Sequence, residues 1–301
     1  MRTVVALGGN ALLQRGERPD ASTQEDNVRL AVASIAELAR HHDVVVTHGN
    51  GPQVGLLALQ SEHDGSLTVP YPLDVLGAET EGMVGYWLQR ELSNALPGRD
   101  IVTVLTQTVV DPHDPAFADP SKFIGQIYDE AAAKANAAAL GWTVKPDGAH
   151  WRRVVPSPDP VEFVEIGSIK TLVDSGALVI CAGGGGVPVL RCESGLRGVE
   201  AVVDKDRAAA LLARDLGADA LLLLTDVAAV QLDFGTDHAR SLSRVTTQEL
   251  RGMAFPAGSM GPKIAAACEF VEAGGTFAAI GALDQAAELA GGTSGTVIVR
   301  G

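Results

Sequence analysis

The chain has 301 residues, 46% hydrophobic and 20% charged, with a formal net charge of −14. That is enough apolar material for a large core in one α/β unit or two lobes, and the acidic balance argues against nucleic acid, which needs a basic face. An odd set of cysteines, Cys181, Cys192 and Cys268, with no CxxC pair argues against a disulfide framework or zinc site. The lack of a roughly eighteen-residue apolar run or a leader at Met1 makes a cytoplasmic location, away from membranes, the expectation.

The first predicted strand, Thr3–Leu7, runs into Gly8-Gly9-Asn10. A helix is predicted from near Ser22, where Ser22-Thr23-Gln24-Glu25 has the capping-box form and Val28, Ala31, Val32, Ile35 and Leu38 recur at helical spacing. Strand Val44–Thr47 ends in His48-Gly49-Asn50-Gly51, and Pro52 suits the first turn of the next helix. A helix over about Ala78–Leu96 and a strand at Ile101–Thr106 continue the alternation.

From about Asp111 to Pro158 the rhythm changes. A Pro-rich stretch leads to Pro120-Ser121-Lys122-Phe123-Ile124-Gly125, then an Ala-rich helix that stops at Gly141. Trp142–Lys145 and Trp151–Val155 flank Pro146-Asp147-Gly148, a hairpin signal, so the segment is predicted to be a small inserted subdomain. The core resumes with a helix at Ser168–Ser175, ended by Gly176, and a buried strand that runs into four glycines, Gly183 to Gly186. The last third predicts a helix over Asp204–Leu216, strand Ala220–Leu224 and the turn Thr225-Asp226. A helix opened by Pro262 and strands Phe277–Ile280 and Thr296–Val299 follow. Strands alternating with helices imply a mainly parallel sheet covered on both faces.

Three strand-to-glycine junctions suggest a shared anion-binding crevice at the carboxyl ends of parallel strands. The chain has no G-x-x-x-x-G-K-[ST] loop, no H-E-x-x-H, no G-x-S-x-G and no G-x-G-x-x-G after a strand. Its histidines are scattered, and the His41-His42 pair reads as solvated surface. Lys205 and Lys263 both fall at predicted helix starts, where a cation opposes the helix dipole by roughly 0.3–1 kcal/mol. A phosphate bound at the same place would reverse that sign, so removing either lysine is expected to leave the empty protein as stable or slightly more so. The alternative is a solvated surface lysine, paired in one case with Asp206. Asp204 could orient Lys205 or simply cap its helix, and Thr225-Asp226 could touch a ligand or form a turn. Polyanion binding by backbone amides and lysines fits phosphoryl transfer, which asks mainly for positioning and charge neutralisation.

Several blocks resemble carbamate kinases. They are Val5–Leu12, Thr47–Gly55, Gln107–Asp111, Trp151–Pro158, Gly198–Asp206 and Gly258–Lys263, in the family's order over nearly the whole chain. The resemblance implies the amino-acid kinase fold, a three-layer αβα sandwich around a mainly parallel sheet with a protruding inserted subdomain, usually as a homodimer. It implies reversible transfer between ATP and carbamate, with Mg²⁺ carried on the nucleotide phosphates and flux expected toward ATP in catabolism. Residues 1–200, with the insert at about 111–158, would form the acceptor lobe, and 201–301 the nucleotide lobe. By motif position, Gly8, Gly9, Asn10, Gly49, Asn50 and Gly51 would surround the acceptor and phosphoryl group, and Gly183 and Gly184 of the four-glycine turn are expected to bind there through their backbone. Lys205 and Lys263 would neutralise that group and Asp204 would organise the lysines. Thr225, Asp226, Phe234 and Met260 would join Lys205 and Lys263 around the nucleotide.

Related kinases place a lysine two positions before the first glycine pair. Ala6 stands there, and Lys122, from an insert expected to close as a lid, is the implied substitute. The family's proline after that lysine is Phe123 here, and its Tyr-Gly is Phe234-Gly235. A kinase for another small acid, a nucleotide-binding oxidoreductase and a non-catalytic nucleotide sensor are the rival readings.

Overall fold

The computed structural model describes every residue except Arg15 and residues 256–259, and at Asn10 the backbone alone. The chain opens with β1 (Arg2–Leu7), α1 (Ala21–Ala39), β2 (Asp43–His48), α2 (Gly51–His63) and α3 (Leu73–Ala95). β3 (Ile101–Val104) and β4 (Gln107–Val110) precede the insert, which holds β5 (Lys122–Tyr128), α4 (Glu130–Leu140), β6 (Thr143–Asp147) and β7 (His150–Val155). Next come β8 (Pro160–Phe163), α5 (Ile166–Asp174), β9 (Leu178–Cys181), β10 (Val187–Cys192) and β11 (Gly195–Gly198). The final third holds α6 (Lys205–Asp215), β12 (Ala220–Thr225), β13 (Gln231–Leu232), β14 (Arg240–Ser241), β15 (Arg244–Thr246) and α7 (Thr247–Arg251). α8 (Met260–Glu272), β16 (Phe277–Ala282), α9 (Ala286–Ala290) and β17 (Thr296–Val299) complete it.

The main sheet has the order β15-β17-β16-β12-β1-β2-β9-β3, parallel throughout except between β16 and β17. Its central strands are near-continuous apolar runs because both faces are covered. Val4, Val45, Val179 and Leu221 face a core built with α6 and α8. The alternate residues Val5, Val46, Ile180 and Leu222 face α1, α3 and α9. The period-two alternation of side chains thus produces the predicted αβα sandwich. No described helix is long and apolar enough to cross a membrane.

Three local expectations are corrected. Ser22 lies inside α1, whose N-cap is Asp20 and makes no side-chain cap bond. A capping box is instead formed at α7, where Thr246 and Glu249 bond reciprocally. α3 begins at Leu73 and not near Ala78, because Glu200 accepts the Leu73 N–H at 2.9 Å while Leu73 and Leu76 are buried. The strand predicted to reach Thr106 ends at Val104. Glu81 and Glu165 take the next two free N–H groups, of Thr106 (3.1 Å) and Gln107 (2.7 Å), and the chain crosses into the sheet β11-β10-β4-β8.

The insert forms its own antiparallel sheet, β5-β7-β6. Gly141 ends α4 in the left-handed conformation, as its position implied. β5, unforeseen as a strand, places Ile124 against Val54 and Ala58 of α2.

Candidate active site

The carboxyl ends of β1, β2 and β9 bring the three glycine junctions together. A Cβ on Gly49 would lie 2.9 Å from Gly9 N and 3.2 Å from Lys205 Cδ, so only glycine lets those backbones and the lysine stem meet. A Cβ on Gly184 would lie 2.2 Å from Asn50 Nδ2. The Gly8 N–H donates to Leu224 O at 3.0 Å, which sets the first junction beside Thr225.

The four-glycine turn is held by side chains from three elements and one linker. Thr47 donates its hydroxyl to Ala182 O (2.8 Å) and Thr108 donates to Gly185 O (2.7 Å). Thr106 Oγ1 accepts the Ala182 N–H at 2.9 Å, and Glu81 accepts the Gly183 N–H at 2.8 Å. That last bond commits the Gly183 N–H to Glu81. Burial pushes the Glu81 carboxyl up to about 8 despite these N–H donors. His48, fully buried, packs against the same glycine, and burial lowers its value to about 4. Its Nδ1 lies 3.1 Å from Gly49 O, so the proton sits on Nδ1. Nε2 has no partner among the described residues.

Lys205 is the first residue of α6 and Lys263 lies in the first described turn of α8, as predicted. Both ammonium groups bind the carboxylate of Asp206, Lys263 at 2.9 Å on Oδ2 and Lys205 on Oδ1. Asp206 is 4% exposed. Burial alone would raise its carboxyl, but the two lysines hold it at about 2. Burial also lowers the Lys205 ammonium, and Asp206 opposes that shift. Asp204 caps α6 by accepting the N–H groups of Asp206 (3.0 Å) and Arg207 (3.3 Å). Its other oxygen holds Lys122 of the insert at 2.9 Å. Burial works to raise the Asp204 carboxyl, and the net effect of its surroundings, Lys122 foremost, is to lower it. Of the two sequence readings of Asp204 the helix cap holds, and the expectation that it orients Lys205 is corrected: its free oxygen binds a different lysine. That lysine is Lys122, and Lys205 and Lys263 are left to Asp206.

The remaining candidates fall at varied distances from this cluster. Gly51 opens α2 behind Asn50, whose side chain donates to Thr80 (2.8 Å) and leaves the helix start without a cap. The Thr225 hydroxyl donates to Asp226 at 3.1 Å. Met260 starts α8 and packs toward the core, while Phe234 is 68% exposed between β13 and β14. Asn10 lies in the turn Gly9–Ala11, and the Gly258-Ser259 part of its motif block lies outside the described residues. Sequence reasoning missed Asp206 as a bridge and Glu81 altogether. The first had a signal in the Asp204-Lys205-Asp206 run; the second is one of four acids on a long helix and had none. Among the described residues no group of three His, Cys, Asp or Glu could hold a metal ion.

A model described as the amino acid kinase family matches residues 1–281, and the chain belongs to that family. Carbamate kinase of Rhizobium meliloti (strain 1021) is 51% identical over 305 residues, covering 99% of this chain and 93% of its own. Carbamate kinase of Pyrococcus furiosus is 47% identical over 310 residues, covering 99% of each chain. The structure of carbamate kinase from Giardia lamblia bound to AMP-PNP superposes with a TM-score of 0.93 at 41% identity, covering 100% of this chain and 98% of that one. The resemblance read from the motif blocks is borne out.

Proposed function

We propose that the chain is a carbamate kinase, catalysing ATP + carbamate ⇌ ADP + carbamoyl phosphate. The observation that carries this reading is the convergence of Lys122, Lys205 and Lys263, through two nearby carboxylates, on a crevice walled by Gly9, Gly49 and Gly184. A carbamate oxygen attacks the γ-phosphorus, and the bond to the ADP oxygen breaks. The charge to be stabilised lies on the phosphoryl oxygens, which three ammonium groups and glycine N–H donors suit. Mg²⁺ enters on the nucleotide phosphates as part of the substrate, since Asp204 and Asp206 are already engaged by lysines.

In this reading Gly8, Gly9, Asn10, Gly49, Asn50, Gly51 and Gly184 line the acceptor side, residues 1–200. Gly183 serves indirectly, its N–H being committed to Glu81. Thr225, Asp226, Phe234 and Met260 serve the nucleotide side, residues 201–301. The insert acts as a lid that brings Lys122 to the transferred group. The enzyme works as a cytoplasmic homodimer that runs toward ATP in catabolism. Ala6 on the first strand weighs against a kinase for another small acid such as acetylglutamate. The test is ATP formation from ADP and carbamoyl phosphate with Mg²⁺. Turnover of acetylglutamate with none of carbamoyl phosphate would overturn the reading, and nucleotide binding without turnover of either would favour a sensor.

A further inference from the structure

The insert is seated on the body of the molecule by three kinds of contact. Ile124 and Val155 bury against Val54 and Ala58 of α2 and Leu73 and Leu76 of α3. The Val202 N–H donates to Pro156 O at 3.0 Å, tying the chain leaving the insert to the segment that enters α6. The third contact is ionic. Arg153 of β7, its side chain 15% exposed, meets Glu200 at 2.6 Å and Glu62 of α2 at 3.8 Å, with its guanidinium 4.7 Å from the centre of the Trp142 ring. The other oxygen of Glu200 accepts the N–H of Leu73, the first residue of α3, at 2.9 Å. One carboxylate therefore joins the insert, a helix start and the segment that ends at Asp204, on which Lys122 rests.

We infer that Glu200 is a positioning residue for phosphoryl transfer: through Arg153 it sets the insert at the height from which Lys122 reaches the transferred group. This rests on the kinase reading above. Val155, two residues beyond Arg153 on β7, is the partner of Lys122 in the β5–β7 ladder, so a displacement of Arg153 passes along the sheet to Lys122. When a phosphoryl group draws Lys122 from Asp204, the pair at Arg153 becomes the ionic tie that keeps the insert in register. Glu200 is 46% exposed, so solvent screens the pair and its Coulomb energy is small. Its effect is geometric, from two oxygens holding two donors in fixed directions. Gln at this position keeps one acceptor, but its amide nitrogen then faces either the Leu73 N–H or the guanidinium, both donors.

Glu200→Gln and Arg153→Lys, singly and together, test this by ATP formation from carbamoyl phosphate, ADP calorimetry and hydrogen exchange over β5–β7. Glu200→Gln is expected to lower kcat about tenfold with ADP affinity changed less than about twofold, and to speed exchange in β5 and β7. Arg153→Lys, which keeps the charge but loses the planar fork, should fall partway, and the double variant should be no worse than Glu200→Gln alone. Unchanged kcat, additive losses, or ADP affinity falling in step with kcat would overturn the assignment. If the parent enzyme makes no ATP, the kinase reading fails by itself. Exchange then decides the seat, and unchanged protection in both variants would refute it.

Discussion

Asp206→Asn is the perturbation that separates a charge-balanced site from a pair of surface lysines. Its carboxyl is held at about 2, against an ordinary 3.8, and that difference is worth about 2 to 3 kcal/mol of folding stability at neutral pH. The sign follows from the direction: a lowered acid contributes stability that is present above about pH 4 and lost as pH falls toward 2. Asparagine leaves two largely buried ammonium groups without their shared counter-charge, the situation in which breaking a buried pair costs about 3 kcal/mol or more. For a chain of this size the empty variant should melt roughly 5–10 °C lower. A bound phosphate would restore the missing charge, so ligand should raise the melting temperature more in the variant than in the parent. Scanning calorimetry with and without ADP and carbamoyl phosphate measures both. An unchanged melting temperature in the empty variant would refute the bridge.

The same balance reverses the stability expected for Lys205→Ala and Lys263→Ala: helix-dipole relief of at most about 1 kcal/mol is outweighed by stripping a counter-ion from Asp206, so both should destabilise the empty protein. Lys122→Ala should lower kcat about a hundredfold or more while leaving ADP affinity near normal, because Lys122 sits on the insert and, among the described residues, pairs only with Asp204; full activity would remove it from the mechanism. His48 and Glu81 should tilt the pH dependence of stability in opposite directions. His48, lowered to about 4 from 6.5, makes stability fall as pH drops through that window, whereas Glu81, raised to about 8 from 4.5, makes it fall as pH climbs through its own. Glu165 also faces Glu81 and helps keep it protonated, and burial, with Glu81 a lesser cause, keeps the Cys181 thiol protonated. Urea unfolding of Glu81→Gln from pH 4.5 to 8 should therefore show stability rising toward pH 6.5 and then levelling; a continued fall toward pH 8 would assign the alkaline limb to another group.

What was legible in the chain was whatever local physics decides. The apolar runs of β1, β2, β9 and β12 and the glycines after them place the sheet and its crevice. Pro52 and Gly141 mark a helix start and a helix end because their own backbone preferences act within one turn. Ser22 misled for the complementary reason. A capping-box pattern says only that a cap could form there, and α1 instead has Asp20 at its N-cap, two positions before Ser22. Leu73 is the opposite case, its N–H satisfied by Glu200, 127 positions away in the chain. No window around α3 contains that information. Glu81 is equally silent, since its meaning lies in the N–H groups of Thr106 and Gly183.

Asp206 shows why a charge motif is harder to read than a glycine turn. In the sequence the residue balances its neighbour Lys205, an ordinary surface pairing of little energetic consequence. In the fold, α6 and α8 bring Lys263 to its other oxygen, and burial changes the scale of the interaction. A site that gathers ammonium groups for a dianionic phosphoryl group faces their mutual repulsion when empty, and more so where burial excludes water. Asp206 offsets that repulsion without occupying the crevice, because it approaches the lysines from within the helix layer. Asp204 does the same for Lys122, but from the cap of the same helix and with one oxygen already committed to backbone N–H groups. The two carboxylates thus differ in what they can release. On the lid reading Lys122 leaves an Asp204 that still accepts two backbone N–H groups, whereas Lys205 and Lys263 stay with a buried Asp206. In the proposed mechanism the charge that moves would ride on the insert and the fixed charges would belong to the body, the division of labour that a lid closing over bound nucleotide requires.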